Sequence, residues 1–453
     1  MLLRSPSRST IAAFLFLAIP ASASAETVDL FSTPTPADGA STLAAKPAQK
    51  GAARERVLAV RPKTLEAIAK GRNGAPDIKI ELFPGVSAIF AVSDTTSGSD
   101  GASVISAKSG KDDDATLVAS NGKVTGRVRY RGKTYSIRPA GGRLHKVTEI
   151  SRAKAPRPGP ELMAPQGPRR SGQNWTAAAA SAPAPMAKTT DPDWEIAKID
   201  MMFVYTAKAK AASEDILAEI DLAVAITNEA YQASGVKMKA RLVKTLQSGT
   251  YDEDPAGQNR SYEDVFYDLV GSGANASYFD ETRRVRDEVG ADFVVLLREG
   301  GGYCGLGYVI TSPEGADSMT FTEVSRGICV DVDTVAHEVG HNMGLRHDRY
   351  VTKADDGSEL PSDVYNLGYV SIKGRAMDLM AYENKCNDKG VSCAYQRLFS
   401  SPKLKVNGHK LGLKQGAKGA ADAARWLNEI RWIAQDLRPR GGTGGAKSAA
   451  AAE

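Results

Sequence analysis

HEVGHNMGLRHD, residues 337–348, is the stretch on which the reading of this 453-residue chain turns. Of the five histidines in the chain, three fall inside it: His337, His341 and His347. On a helix His337 and His341 are one turn apart and share a face. That spacing lets two imidazole nitrogens reach a single zinc ion. Glu338 borders the same face and is placed to act as a general base on a water held there. Gly344 tolerates the left-handed conformation that ends helices, so the chain turns back and offers His347 as a third ligand. Three neutral nitrogen donors leave open the fourth position that a catalytic zinc requires. A bare H-E-x-x-H recurs by chance on ordinary helices, whereas the elongated string is far more demanding.

Around this stretch, residues 195–439 alternate strand and helix signals. Strands are expected at Ile199–Tyr205, Val236–Leu246, Asp292–Leu297, Leu306–Thr311 and Thr320–Val330, and Asp292–Leu297 reads as buried on both faces from its unbroken apolar run. Helices are expected at Ser213–Ser234, Ser261–Leu269, Ala276–Glu288, Asp331–Met343 and Ala420–Leu437. The expected fold is α/β (α+β): a twisted, mixed, five-stranded sheet with helices packed on it, one of them carrying the histidines.

The rest of the chain changes composition in blocks. Arg4 and Arg8, the apolar run Ile11–Ile19 and Ala23-Ser24-Ala25 read as a secretory signal peptide over residues 1–25. Export to an extracellular or periplasmic space follows, and the apolar run is too short for a membrane anchor. Residues 26–53 read as disordered. Residues 54–150 read as a small β-rich domain, with Asn121-Gly122 as a hairpin turn. Residues 151–194 hold seven prolines between Pro156 and Pro185 and read as an extended linker, with Arg169-Arg170 as a place for processing. Residues 440–453 read as a disordered tail. A β-rich domain, a cleavable linker and a cysteine-bearing domain form the layout of a zymogen.

Four cysteines suit an oxidising compartment. They allow three pairings, of which Cys304–Cys329 and Cys386–Cys393 is the expected one. The formal net charge of +5 is small for this length, and no Lys/Arg block or stripe marks a nucleic-acid footprint. The basic residues read as solvated surface. Gly300–Gly307 lacks the Lys-Ser/Thr ending of a phosphate loop. Asn174, Asn259 and Asn275 sit in short glycosylation sequons that carry little weight.

With its histidine string and Asp378-Leu-Met380-Ala-Tyr382 further on, the chain resembles the metzincin zinc peptidases, whose signature adds a methionine turn to the histidines. The resemblance implies Met380 as an apolar floor beneath the metal and Tyr382 as a group near the zinc that can stabilise an oxyanion. Asp348 is similar to the reprolysin-like branch. Phe399-Ser-Ser-Pro402, Cys304-Gly-Leu-Gly and the final helix with Asp422 and Asn428 look like bacterial peptidyl-Asp metallopeptidases of that branch. The resemblance covers about residues 195–439 strongly and the β-rich region, then read as a propeptide, more loosely.

It implies one catalytic Zn2+, polypeptide substrates, cleavage on the N-terminal side of acidic residues and inhibition by the chain's own propeptide. It leaves calcium open. A monomer with no nucleic-acid or membrane partner is expected. An acidic preference needs a cation in the first primed pocket, for which Lys373, Arg375, Lys385 and Arg397 are candidates. No cysteine precedes Cys304, so latency must come from a propeptide carboxylate, from His145 or from steric blocking. The competing readings are a catalytically silent zinc-stabilised binding protein, against which Glu338 argues, and a zinc hydrolase of non-peptide amides or esters.

Overall fold

The computed structural model describes residues 26–38, 50–71, 75–165, 195–255, 260–312, 316–354 and 357–438. The expected signal peptide, the Arg169-Arg170 site and the C-terminal tail lie outside the described residues. Among the described helices, none is long and apolar enough to cross a membrane.

The N-terminal unit is one ten-stranded sheet. Its strands are β1 (Thr27–Asp29), β2 (Phe31–Ser32), β3 (Ala52–Val60), β4 (Asp77–Phe83), β5 (Val86–Ser97), β6 (Ser103–Ser109), β7 (Asp113–Ser120), β8 (Lys123–Tyr130), β9 (Lys133–Pro139) and β10 (Leu144–Ile150). Helix α1 (Pro62–Lys70) buries Leu65 and Ile68. Asn121-Gly122 and Arg131-Gly132 turn the hairpins β7–β8 and β8–β9 with positive φ at both central residues, the geometry that matches the twist of the flanking strands. The expectation that residues 26–53 are disordered is corrected where they are described. Thr27–Asp29 pairs with Asp77–Lys79, and Phe31–Ser32 with Ala59–Val60. Leu30 and Phe31 are buried there, so this polar-looking stretch contributes its apolar residues to the sheet's core.

The second unit is built on β12 (Ala197–Tyr205), β13 (Met238–Gln247), β14 (Phe293–Arg298), β15 (Gly305–Val309) and β16 (Phe321–Ser325). Its longer helices are α2 (Ile216–Ser234), α3 (Tyr262–Val270), α4 (Asp280–Val289), α5 (Thr334–Asn342) and α6 (Ala423–Gln435). The unbroken apolar run of β14 has a two-sided cause. Phe293, Val295 and Leu297 pack in one cluster with Ile220 and Ile226 of α2 and with Val335 and Val339 of α5. Val294 and Leu296 point to the other face, with Leu269 of α3 and Val285 of α4. Burial of each such side chain stabilises the fold by about 1.5–3 kcal/mol. Because α5 packs on the α2 face, its histidines are held against a rigid layer.

Two expectations are corrected here. The sheet has six strands and not five, with Leu162–Met163 (β11) leading the order β11-β15-β16-β14-β12-β13. The sixth is this β11, from the stretch read as a coreless linker, and it pairs in parallel with Tyr308–Val309. Adding a strand needs only backbone donors on one side, and Pro158 and Pro160 flank Gly159, which donates its N–H to Gly305 O at 2.8 Å. In addition, the strand expected to run to Val330 stops at Ser325. Gly327, at φ 71°, turns the chain into the short helix Ile328–Asp331.

The two units meet through charge. Arg127 on β8 is fully buried, with Nη1 2.8 Å from Asp333 and Nη2 2.8 Å from Glu229 of α2. Arg138 on β9 reaches Asp331 at 2.8 Å. Arg127 therefore departs from the reading of the basic residues as solvated surface.

Candidate metal centre

Helix α5 carries His337, Glu338 and His341, all buried. Gly344 adopts φ 83°, as its place after the helix requires, and the returning chain brings His347 back. The three Nε2 atoms lie 3.1, 3.1 and 3.2 Å from one another. His337 Nδ1 is 2.9 Å from Leu379 O, and His341 Nδ1 is 2.8 Å from Leu345 O. A carbonyl can only accept, so these Nδ1 atoms carry the protons and the Nε2 lone pairs face one another. Burial, together with the neighbouring imidazoles, holds His337 and His347 well below the usual histidine range; burial alone leads for His341. Three neutral, converging nitrogen donors repel one another unless a cation sits among them. The donor set therefore fits a metal ion, and nitrogen ligands of this kind suit zinc.

Several groups brace this centre. Met380 is fully buried, and a Cβ added to Gly340 would lie 3.2 Å from its Sδ, so the methionine packs against the turn between His337 and His341. Asp348, next to the third histidine, accepts from the Tyr382 N–H at 2.9 Å and so ties the methionine turn to His347. The Tyr382 ring lies 4.1 Å from the His347 ring, centroid to centroid. Burial and the Glu338 carboxylate hold its phenol above the usual range. Glu338 faces β15, where a Cβ on Gly305 would come within 2.7 Å of its Oε1. That oxygen has no protein partner, and burial followed by the Glu323 carboxylate pushes the group well above the ordinary glutamate range. Gly305, quoted in the sequence only as part of the Cys304-Gly-Leu-Gly resemblance, is needed here to make room for Glu338.

Both expected disulfides form, Cys304–Cys329 and Cys386–Cys393. The first joins the entry of β15 to the segment leading into α5. Of the four cations considered for an acid-binding pocket, Lys373 and Lys385 line a separate hollow with His409 and Lys410. Arg375 is exposed. Arg397 is buried in ion pairs with Glu229 and Asp114. His145 lies in β10, where its Nε2 accepts from the Val124 N–H at 2.9 Å and its Nδ1 donates to Arg143 O. Burial lowers its pKa to about 4, so it is a neutral member of the N-terminal sheet.

The segment before residue 166 crosses this centre. Arg157 O accepts from the Cys304 N–H at 2.7 Å, Gly159 bonds Gly305, and the Ala164 N–H reaches Val309 O at 3.1 Å. The Tyr382 hydroxyl donates to Gly159 O at 2.5 Å, with Pro158 O at 3.2 Å. Glu161 accepts from the His347 N–H, from Thr352 Oγ1 at 2.9 Å and from Arg346 at 3.1 Å. Glu161 was missed in the sequence because it sits in a proline-rich stretch with no pattern of its own.

This histidine-bearing helix on a mixed sheet belongs to a metallopeptidase fold. Residues 217–348 match the family model "Metallo-peptidase family M12B Reprolysin-like", so this stretch is similar to the domain that model describes. It is similar to the peptidyl-Asp metalloendopeptidase of Pseudomonas aeruginosa, at 29% identity over 53% of this chain and 40% of that protein. Two proteins of the same name from Stenotrophomonas maltophilia match at 30% over 66% of each chain (strain R551-3) and 29% over 67% of each (strain K279a). The chain thus spans between 40% and 67% of these curated relatives.

Proposed function

We propose that this protein is a zinc-dependent endopeptidase, made as a latent precursor for export, with His337, His341 and His347 as metal ligands and Glu338 as general base. The convergence of three Nε2 atoms at 3.1–3.2 Å beside a buried carboxylate carries the reading. A zinc ion held there would supply Lewis acidity to a water and to the scissile carbonyl. Glu338 takes a proton from the attacking water as its oxygen bonds to the carbonyl carbon, and passes that proton to the amine as the C–N bond breaks. Tyr382 donates a hydrogen bond to the oxyanion. With Leu162–Met163 removed, the outer side of β15 aligns an extended polypeptide by strand addition, which favours polypeptide over small amides or esters.

The test is digestion of a denatured protein mixture by the purified full chain after processing. Cleavage should vanish with a chelator and return with added zinc. His341→Ala should lose metal and activity together. Activity surviving either treatment would sink the assignment.

In the same reading residues 26–165 are the inhibitory propeptide, and 156–164 block the centre sterically, held by a carboxylate latch. Glu161 is that latch. Removing it forfeits charge-assisted bonds worth about 1.5–3 kcal/mol, so Glu161→Ala should raise the activity of the uncut chain about ten- to hundredfold, measured on a quenched peptide. An unchanged latency would assign the block to the backbone pairing alone. The relatives' names speak of aspartyl bonds. We read cleavage on the N-terminal side of acidic residues as the narrower form of this proposal, and those names support it.

A further inference from the structure

The segment that crosses the metal centre is built onto the N-terminal sheet. Residues 151–155 join β10 to it and fold back on that sheet. The Ser151 N–H donates to Gly51 O at 2.8 Å, and the Ala155 N–H to Ser151 O at 2.9 Å. A Cβ on Gly51 would come 3.1 Å from Ala155 Cα, so sheet and segment are packed without slack. Wherever the N-terminal sheet is docked, the crossing segment is presented at a fixed place beside it.

The sheet is docked by its outer face. Along β7, Leu117 and Ala119 belong to the N-terminal core, and Thr116 and Val118, which alternate with them, are buried as well. Val118 lies in one cluster with Ile220 and Ile226 of α2. Thr116 Oγ1 donates to Glu229 Oε1 at 2.6 Å. The Ser99 N–H and hydroxyl both donate to the Asp221 carboxylate, at 2.7 and 2.8 Å. With Arg127 on Glu229 and Asp333, and Arg138 on Asp331, the carboxylates along α2 and ahead of α5 take their partners from the N-terminal unit. None of these contacts involves residues 166–194.

We infer that a cut within 166–194 does not by itself free the metal centre. The N-terminal unit stays on α2 as a two-site ligand, in which the sheet supplies the affinity and the crossing segment the block. A short extended segment alone would have to be ordered at the centre at its own entropic cost. Tethered to a docked sheet through residues 151–155, it rebinds as an intramolecular group at high effective concentration. Activation therefore needs a second event that removes or destroys the sheet.

This rests on residues 26–165 being the inhibitory propeptide, and the first readouts need no turnover. A recognition site for a specific protease, inserted between Arg169 and Arg170 of the full chain, permits a single cut. The cut protein is run on size exclusion with mass spectrometry of the fractions. Amide exchange at Gly159 and Ala164, whose N–H groups bond Gly305 and Val309, is compared with that of the uncut chain. The two pieces should elute together at micromolar concentration. Exchange at both amides, and hydrolysis of a quenched peptide, should stay within about twofold of the uncut chain. Pieces that separate on cutting would overturn the inference. So would pieces that stay together while exchange and hydrolysis jump, since the sheet would then not hold the segment.

Two variants of the cut protein locate the dock. Arg127→Ala should raise the dissociation constant of the two pieces about 10²–10³-fold, as truncating one member of a buried ion pair does. Thr116→Ala leaves no charge without its cation and should raise it about tenfold, a milder change that keeps the test readable if Arg127→Ala fails to fold. No effect of Thr116→Ala and of a folded Arg127→Ala would overturn the assignment of the dock to this face. If no form of the chain hydrolyses peptide, even with the N-terminal unit digested away, the peptidase reading falls. Elution and amide exchange then still decide whether the cut unit stays docked.

Discussion

Glu338→Gln is expected to bind zinc as the wild type does and to lose about 10²–10⁴-fold in peptide hydrolysis, the span attributed to a positioned general base. The amide has the same shape, so it fits the narrow space beside Gly305 that excludes even a Cβ. It does not touch the contacts of His337 with Leu379 and of His341 with Leu345, so the metal site should persist. What it lacks is a lone pair basic enough to take the water's proton. Metal stoichiometry and kcat on a quenched peptide, measured on the same preparation, check this. Turnover within tenfold of wild type would strip Glu338 of its role. Loss of zinc together with activity would make it a structural neighbour of the site.

Arg127→Ala should destabilise the uncut chain by about 3–5 kcal/mol, the cost of leaving buried charges without their partner. Asp333 loses its bond to Nη1, while Glu229 keeps Thr116 and Arg397. Asp333 is therefore where the penalty should concentrate. Denaturant unfolding measures the loss, and Asp333→Asn in the Arg127→Ala background should recover part of it. A cycle with no coupling would place the energy of the interface elsewhere. Asp333 is the residue that enters α5, at φ 66°, and its side chain makes no capping bond to that helix. The N-terminal sheet thus holds the residue from which the histidine helix starts.

The contrast between these two predictions marks what the sequence made legible. Glu338 was readable because spacing along one helix is local: three and four residues fix which side chains share a face. Met380 and Tyr382 came with the resemblance, and the strands of the second unit came from runs such as Phe293–Leu297. Arg127 was not readable. It shares a strand face with Arg129, the two flanking Val128, a pattern that also fits a solvated face, and only docking against Glu229 of α2 and Asp333 buries it. The sixth strand was hidden for a related reason. Proline-rich composition correctly signals a stretch without its own core, yet pairing to an existing edge demands only that a few N–H groups such as those of Gly159 and Ala164 face the right way. Gly305 was quoted within Cys304-Gly-Leu-Gly, but the reason for it was not readable, because its need is set by Glu338, over thirty residues away.

The covered edge of the sheet has a consequence for solubility. A strand with unmet N–H and C=O groups on one side is a template for any extended chain, including another copy of itself. Such an edge cannot be blunted with prolines or bulges if it is to take up substrate. The five residues of β15 are kept short, and Leu162–Met163 occupies their outer side while the chain is uncut. On the reading proposed above, the segment that silences the centre would also shield the molecule from aggregation while it folds, and its release would trade that protection for access.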